Sequence, residues 1–174
     1  GRCGVEVRYE GGRPHQSARE DLYGIVRLAC ETYRELLSAP SGKAGRDFLK
    51  ARGVTPEAQR EFLLGWSGQG GELPEALKKA GIDPARAEAA GLLVPAPSGR
   101  GHRARFRGRV LFPIADARGR ICGFGGRAVD DAVPKYLNSP ESELYRKSAL
   151  LYGLHQALPS IRRDGRVVVV EGYM

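Results

Sequence analysis

The sequence predicts an α+β fold: a helical lead-in, a basic antiparallel β-hairpin, and one buried strand close to the last residue. Three observations carry this reading. Apolar residues recur at helical spacing in the first half, and Thr-Pro and Asp-Pro pairs there mark helix starts. From Arg103 the period changes to two, with arginine on every alternate position. The run Val167 to Val170 then closes on Glu171.

Taken in order, residues 1–18 read as a linker tail, with Gly4, Gly11, Gly12 and Pro14 among mixed charges. Residues 19–38 place Leu22, Ile25, Val26, Ala29, Tyr33, Leu36 and Leu37 on one helical face, ending before Pro40. A second helix spans about 42–52 and stops at Gly53. Thr55 caps a third, which runs to about Leu64 with Pro56 at its first position. Asp83 and Pro84 repeat that signal, and Gly91 closes the helix they open. Residues 116–119 have turn composition, Arg120 to Cys122 read as the return strand, and residues 134–138 as extended. A helical stretch over 141–157 and the buried strand 166–171 complete the chain. Residues 19–165 form one basic subdomain, and 166–174 the start of another.

With 174 residues, 41% of them hydrophobic, the chain is long enough for one ordinary globular domain. No apolar run approaches the roughly 18 residues that a membrane-spanning helix needs. Three cysteines, Cys3, Cys30 and Cys122, are odd in number and form no C-x-x-C pair. That argues against a disulfide framework or a self-contained zinc site and suits a reducing cytosol. Cys122 reads as a small apolar filler, and His15, His102 and His155 have no acids at ligand spacing. A chain starting at Gly1 and stopping just past a strand-like run is expected to be a fragment.

The net charge is +8, and residues 98–127 hold eight arginines against one acid, Asp116. Such concentration is the footprint of a nucleic-acid or polyphosphate surface. Arg103, Arg105, Arg107 and Arg109 alternate with Ala104, Phe106, Gly108 and Val110. On one strand they would form a ladder with rungs about 7 Å apart, from a ~3.3 Å rise per residue. A charged edge strand that merely prevents aggregation is the plain alternative. Exclusive use of arginine favours forked phosphate recognition instead. The glycines of Gly123 to Arg127 precede no G-K-[ST] and no helix, so they read as tight turns rather than a P-loop. Glu171, straight after four valines, must face a polar crevice or meet a burial cost.

Three segments in order, RFRGRVLFPIADARGRICGFGGR, PKYLNSPESELYRKSALLYGL and VVVVEGYM, closely resemble the RNA polymerase region of bacterial DnaG-type primases. GVEVRYE resembles the linker after that family's zinc-binding domain, and FLKARGV through GLLV its helical lead-in. The resemblance implies that Arg105 and Arg107, with Arg109 beside them, line a template groove. It implies basic and polar groups near the active site at Arg127, Lys135, Tyr136 and Asn138, with Lys147 and Arg52 joining them. Glu171 matches the glutamate ending the first strand of an α/β toprim fold, a catalytic acid and possible metal ligand. Ser148 departs from the family's glycine, and the aspartates that follow EGYM in the family are absent.

The implied activity is synthesis of short RNA primers on single-stranded DNA, by nucleotidyl transfer from NTPs with release of pyrophosphate. The implied cofactors are Mg²⁺ or Mn²⁺ in the complete core and zinc in the upstream domain. The implied partners are template, NTPs, the primer–template hybrid and a replicative helicase reached through a C-terminal domain, in the bacterial cytoplasm at replication forks. One carboxylate cannot hold a hard cation, so the chain by itself is expected to be inactive. The competing readings are a stand-alone single-strand-binding module and, ranked last, another toprim enzyme, which leaves PKYLNSP and FGGR unexplained.

Overall fold

The computed structural model describes residues 14–173. Cys3, GVEVRYE and the rest of the tail up to residue 13 lie outside the described residues. Residues 14–18, expected in that tail, instead open helix α1 (Pro14–Ser38), where proline is tolerated because first-turn amides have no helical acceptor. Its apolar stripe Leu22, Ile25, Val26, Ala29, Tyr33 and Leu37 is buried along its length. A 3₁₀ turn (Pro40–Gly42) reverses the chain into α2 (Lys43–Ala51). The Arg46 guanidinium closes this corner by donating to the carbonyls of Leu37 and Ala39, the latter at 2.6 Å.

Helix α3 (Pro56–Glu61) starts where Thr55 Oγ1 accepts from the Ala58 amide at 3.2 Å. It ends short of Leu64, because Leu63 turns left-handed (φ 53°) and sends the chain into β1 (Gly65–Trp66). Next comes α4 (Glu72–Lys79), whose apolar face of Leu73 and Leu77 is too sparse to signal a helix in the sequence. Helix α5 (Pro84–Ala89) is capped by Asp83, with Gly91 left-handed beyond it.

Strands β2 (Leu93–Pro95) and β3 (His102–Ala104) form a separate two-stranded ribbon. The main sheet is antiparallel in the order β1-β4-β5-β6, with β4 (Arg109–Ala115), β5 (Ile121–Ala128) and β6 (Tyr136–Asn138). Leu111 and Phe124 pack with Phe106 and Tyr33 against α1 on one face. Val110, Phe112 and Trp66 pack with Leu37, Leu49 and Leu64 on the other.

Four expectations are corrected here. The arginine ladder does not exist as one strand. Arg103 lies on β3, Arg105 and Arg107 on the connection, and Arg109 opens β4 after Gly108 turns the chain at φ 60°. The glycines 123, 125 and 126 are not a turn but the middle of β5, where side chains sit directly on the backbone. The stretch 141–157 is no continuous helix: a 3₁₀ turn (Lys147–Ala149) precedes α6 (Leu154–Asp164), which Gly153 opens from a left-handed conformation. Finally, residues 166–171 form no ladder, and the valines are exposed, Val168 at 82%. A strand gains its stability from neighbours, and no strand among the described residues pairs with this run.

Packing between α1 and β1 supplies a test. A Cβ on Gly65 would lie 2.6 Å from Tyr33 Cβ and 3.0 Å from its carbonyl carbon, so neither neighbour can yield cheaply. Gly65→Ala is expected to lower stability by about 1–3 kcal/mol, read as a lower urea midpoint. Gly24→Ala, on an open face of α1, should raise stability by about 0.5–1 kcal/mol.

Candidate nucleic-acid interface

Although no single strand carries them, Arg103, Arg105, Arg107 and Arg109 converge on one groove of about 420 Å³. It runs between the β2–β3 ribbon, through Val94 and Pro95, and the edge of the main sheet, through Pro134 and Leu137. Three of the four are held by main-chain carbonyls. Arg105 donates from Nε (3.0 Å) and Nη2 (2.7 Å) to Asn138 O. Arg107 Nε donates to Gln69 O at 3.1 Å, and Arg109 Nη1 to Lys135 O at 3.4 Å.

Burial holds Arg105 below the ordinary guanidinium pKa, and Arg109 likewise, with Asp130 opposing and Arg127 adding to the effect. Both stay cationic at any physiological pH. Among the described residues none of the four forms an ion pair with a carboxylate. Arg120 differs: it bridges Asp116 at 2.9 Å and Glu20 at 3.2 Å, and stacks on Tyr23 at 4.1 Å. That arginine secures the β4–β5 turn to α1, so part of the positive charge counted in the sequence is neutralised within the fold.

The loop under Arg107 is built by Glu72. Its carboxylate accepts from the amides of Gln69 (3.0 Å) and Gly70 (2.9 Å), aiming the Gln69 carbonyl at the guanidinium. Gly70 at φ 108° lies along the Arg107 side chain, where a Cβ would stand 2.8 Å from it. At the other end Ser67 Oγ, fully buried, accepts from the Arg109 amide at 2.9 Å.

A second basic group sits on the α2 side of the sheet. The β5–β6 register sets Arg127 opposite Tyr136 and Gly125 opposite Asn138. The Arg127 guanidinium lies 5.1 Å from the Tyr136 ring centroid and 5.3 Å from that of Phe48, whose ring also meets Arg52 at 5.3 Å. Arg52, Phe48, Arg127 and Tyr136 thus form an alternating cation–aromatic stack. Arg127 is 5% exposed and donates to Ala128 O, while its Nε meets no acceptor among the described residues. Asn138 Oδ1 accepts from Tyr173 Oη at 2.8 Å, and Tyr173 stacks on Phe112 at 5.1 Å and 12°.

The expected site residues therefore divide. Arg105 meets Asn138, Arg109 meets the main chain of Lys135, and Arg127 meets Tyr136 and, through Phe48, Arg52. The Lys135 and Lys147 side chains are exposed, and Lys147 anchors only through its amide, which donates to Glu141 Oε1 at 3.1 Å. Glu171 is exposed rather than set in a crevice. Among the described residues no three His, Cys, Asp or Glu side chains gather as a metal site, and Glu171 alone does not fit a divalent cation.

Sequence reading missed Phe48, Glu72 and Tyr173. Phe48 carried a usable signal, four residues before Arg52, the residue that caps its helix. Tyr173 had none, because its contacts are all distant in sequence.

Residues 32–158 match the family model for the N-terminal domain of the DNA primase catalytic core. The chain belongs to the DnaG-type DNA primase family. The DNA primase of Pseudomonas putida is 45% identical over 181 residues, covering 99% of this chain and 27% of that protein. The RNA polymerase domain of Mycobacterium tuberculosis primase DnaG, solved with a double-stranded DNA oligomer bearing a 6-nucleotide overhang, superposes with a TM-score of 0.83. It is 33% identical, over 92% of this chain and 50% of that one. A DnaG primase catalytic domain bound to single-stranded DNA aligns at a TM-score of 0.75 and 36% identity, over 83% and 47% of the two chains. The chain thus spans about a quarter of the curated primase it matches and half of the solved domains.

Glu72 offers a pH test of the arginine groove. Burial would raise its pKa, but amide donors from Gln69 to Glu72 outweigh that and hold it below the ordinary 4.5. A carboxyl depressed on folding stabilises the fold above its unfolded value and loses that contribution as pH falls through its folded one. The stability gap between wild type and Glu72→Gln is expected to be constant above pH 4.5 and to shrink below it. Urea midpoints measured across that range check it, and a gap unchanged at low pH would remove the carboxylate from the loop's support.

Proposed function

We propose that this chain is the template- and nucleotide-binding front part of a primase core that makes short RNA primers on single-stranded DNA. The observation that carries the reading is the groove of four arginines that have no carboxylate partner among the described residues. Main-chain carbonyls orient three of these guanidiniums, those of Arg105, Arg107 and Arg109, without cancelling their charge, so each keeps N–H donors for phosphate oxygens. The low apolar walls at Val94, Pro95, Pro134 and Leu137 give sugars and bases a surface that reads no sequence.

The Arg52–Phe48–Arg127–Tyr136 stack is assigned to the nucleotide side, and the exposed Lys135 and Lys147 with it. Its cations would balance the charge of an incoming triphosphate, and the half-exposed Tyr136 ring offers a base a stacking surface. In the reaction class of the family a primer 3′-hydroxyl attacks the α-phosphorus of an NTP and pyrophosphate leaves. Positioning and charge neutralisation do most of that work, and these are what this chain's residues supply. Residues 166–171 are assigned to the first strand of a toprim fold, with Glu171 as the acid it contributes. A divalent metal site of several carboxylates is not built by the described residues, so no step through it is assigned to them.

Two expected outcomes follow. Affinity for oligo(dT) should fall with salt, and Arg103→Ala with Arg107→Ala should flatten the log–log slope by about 1.4, at roughly 0.7 for each phosphate left without its cation. Arg120→Ala, whose guanidinium is already neutralised, should leave the slope unchanged. Fluorescence anisotropy across a salt series decides this, and an unaltered slope in the double variant would take the groove out of the binding surface. Incubated alone with template, NTPs and Mg²⁺ or Mn²⁺, the chain should yield no primers on a sequencing gel. Primers there would overturn the division of labour proposed here.

A further inference from the structure

Asn138 spends its two oxygens on opposite neighbours. Its main-chain oxygen receives both Arg105 donors, at 3.0 and 2.7 Å, on the groove side. Its Oδ1 receives the Tyr173 hydroxyl at 2.8 Å, on the α2 side of the sheet. The ring of Tyr173 is fixed independently, stacked on Phe112 and edge-on to Tyr152 at 5.0 Å. It rests on Gly125, which the ladder sets beside both Asn138 and Phe112. A Cβ at Gly125 would lie 2.5 Å from that ring, so the glycine is the seat of the tyrosine. The residues between α6 and Tyr173 form neither helix nor strand, which makes Tyr173 the anchor of the segment that carries Glu171. A single residue, Gly172 at φ 98°, separates Glu171 from Tyr173.

We propose that Asn138 and Tyr173 form a latch coupling the template groove to the Glu171 segment, with both acting as positioning residues. The inference rests on the template reading given above. A phosphate arriving at Arg105 competes for its N–H donors and shifts the pull on the Asn138 carbonyl. That carbonyl and the side-chain amide belong to one residue at the end of an edge strand, so the change is passed to the Tyr173 hydroxyl. Template occupancy then biases where Glu171 is held, with no direct contact between the two sites.

The test follows two amide-region resonances of the chain by ¹H–¹⁵N NMR during titration with oligo(dT). Arg105 Nε reports the groove and the Gly172 amide reports the Glu171 segment. In the wild type both are expected to move with one midpoint. In Tyr173→Phe, which keeps the ring and loses only the hydroxyl, Arg105 Nε should move as before and the Gly172 response should be lost. Asn138→Asp, which keeps the acceptor, should retain the response, a result that a merely structural role would not predict. A Gly172 response equal in wild type and Tyr173→Phe, or absent in wild type while Arg105 Nε moves, overturns the latch. If neither resonance moves in the wild type, the template reading fails and the latch with it.

Discussion

Strand β4 is covered on both faces, and that single constraint shapes the rest of the molecule. Leu111 faces the α1 side while Val110 and Phe112 face the α2 side, all within 1% of complete burial. A strand so enclosed cannot present a row of charges, which is why Arg109 at its first position is 5% exposed and its guanidinium meets a carbonyl, Lys135 O. Guanidiniums must instead reach the groove from the margins: from the β2–β3 ribbon, from the turn at Gly108, and from the entry to β4. The same enclosure explains β5. With β4 full of large side chains, its neighbour takes glycine at 123, 125 and 126, and Tyr145, Tyr173 and Phe106 close directly onto its backbone.

Choice of acceptor separates two kinds of arginine. A carboxylate partner gives orientation and removes charge together, as Asp116 and Glu20 do for Arg120. A carbonyl partner orients the guanidinium and leaves the full charge, as at Arg105 and Arg107. A hydrogen bond to a charged group contributes about 1.5–3 kcal/mol, enough to keep a side chain in one rotamer without neutralising it. The groove is therefore a preorganised cationic surface, and the loop wrapped on the Glu72 carboxylate is part of that preorganisation.

Much of this is legible in the residues, and what is not has identifiable causes. The caps at Thr55 and Asp83 act locally, so they can be read directly, as can the buried stripe of α1. The arginine set is recognisable as one surface, but its geometry is not. Alternation implies a single strand only if every residue keeps extended dihedrals, and Gly108 at φ 60° does not. The meaning of glycine at 123–126 depends on rings arriving from residues far along the chain. The valine run illustrates the reverse: its period and branching describe what it would do beside another strand, and no described residue offers one. Membership of the primase family is readable from three short segments in order. Why their side chains meet is not.

Arg127 shows how the fold keeps a buried cation on the α2 side of the sheet. Leaving its Nε without an acceptor costs about 1–3 kcal/mol. Rings on both sides return a comparable amount, at about 0.5–2 kcal/mol for each cation–π contact. The balance is close to neutral for stability, so the arrangement is better understood as orientation than as a source of folding energy. A guanidinium held between Phe48 and Tyr136 is confined on both sides while it donates to Ala128 O. An acid in place of either ring would satisfy the nitrogen better, but it would cancel the charge that the stack holds ready.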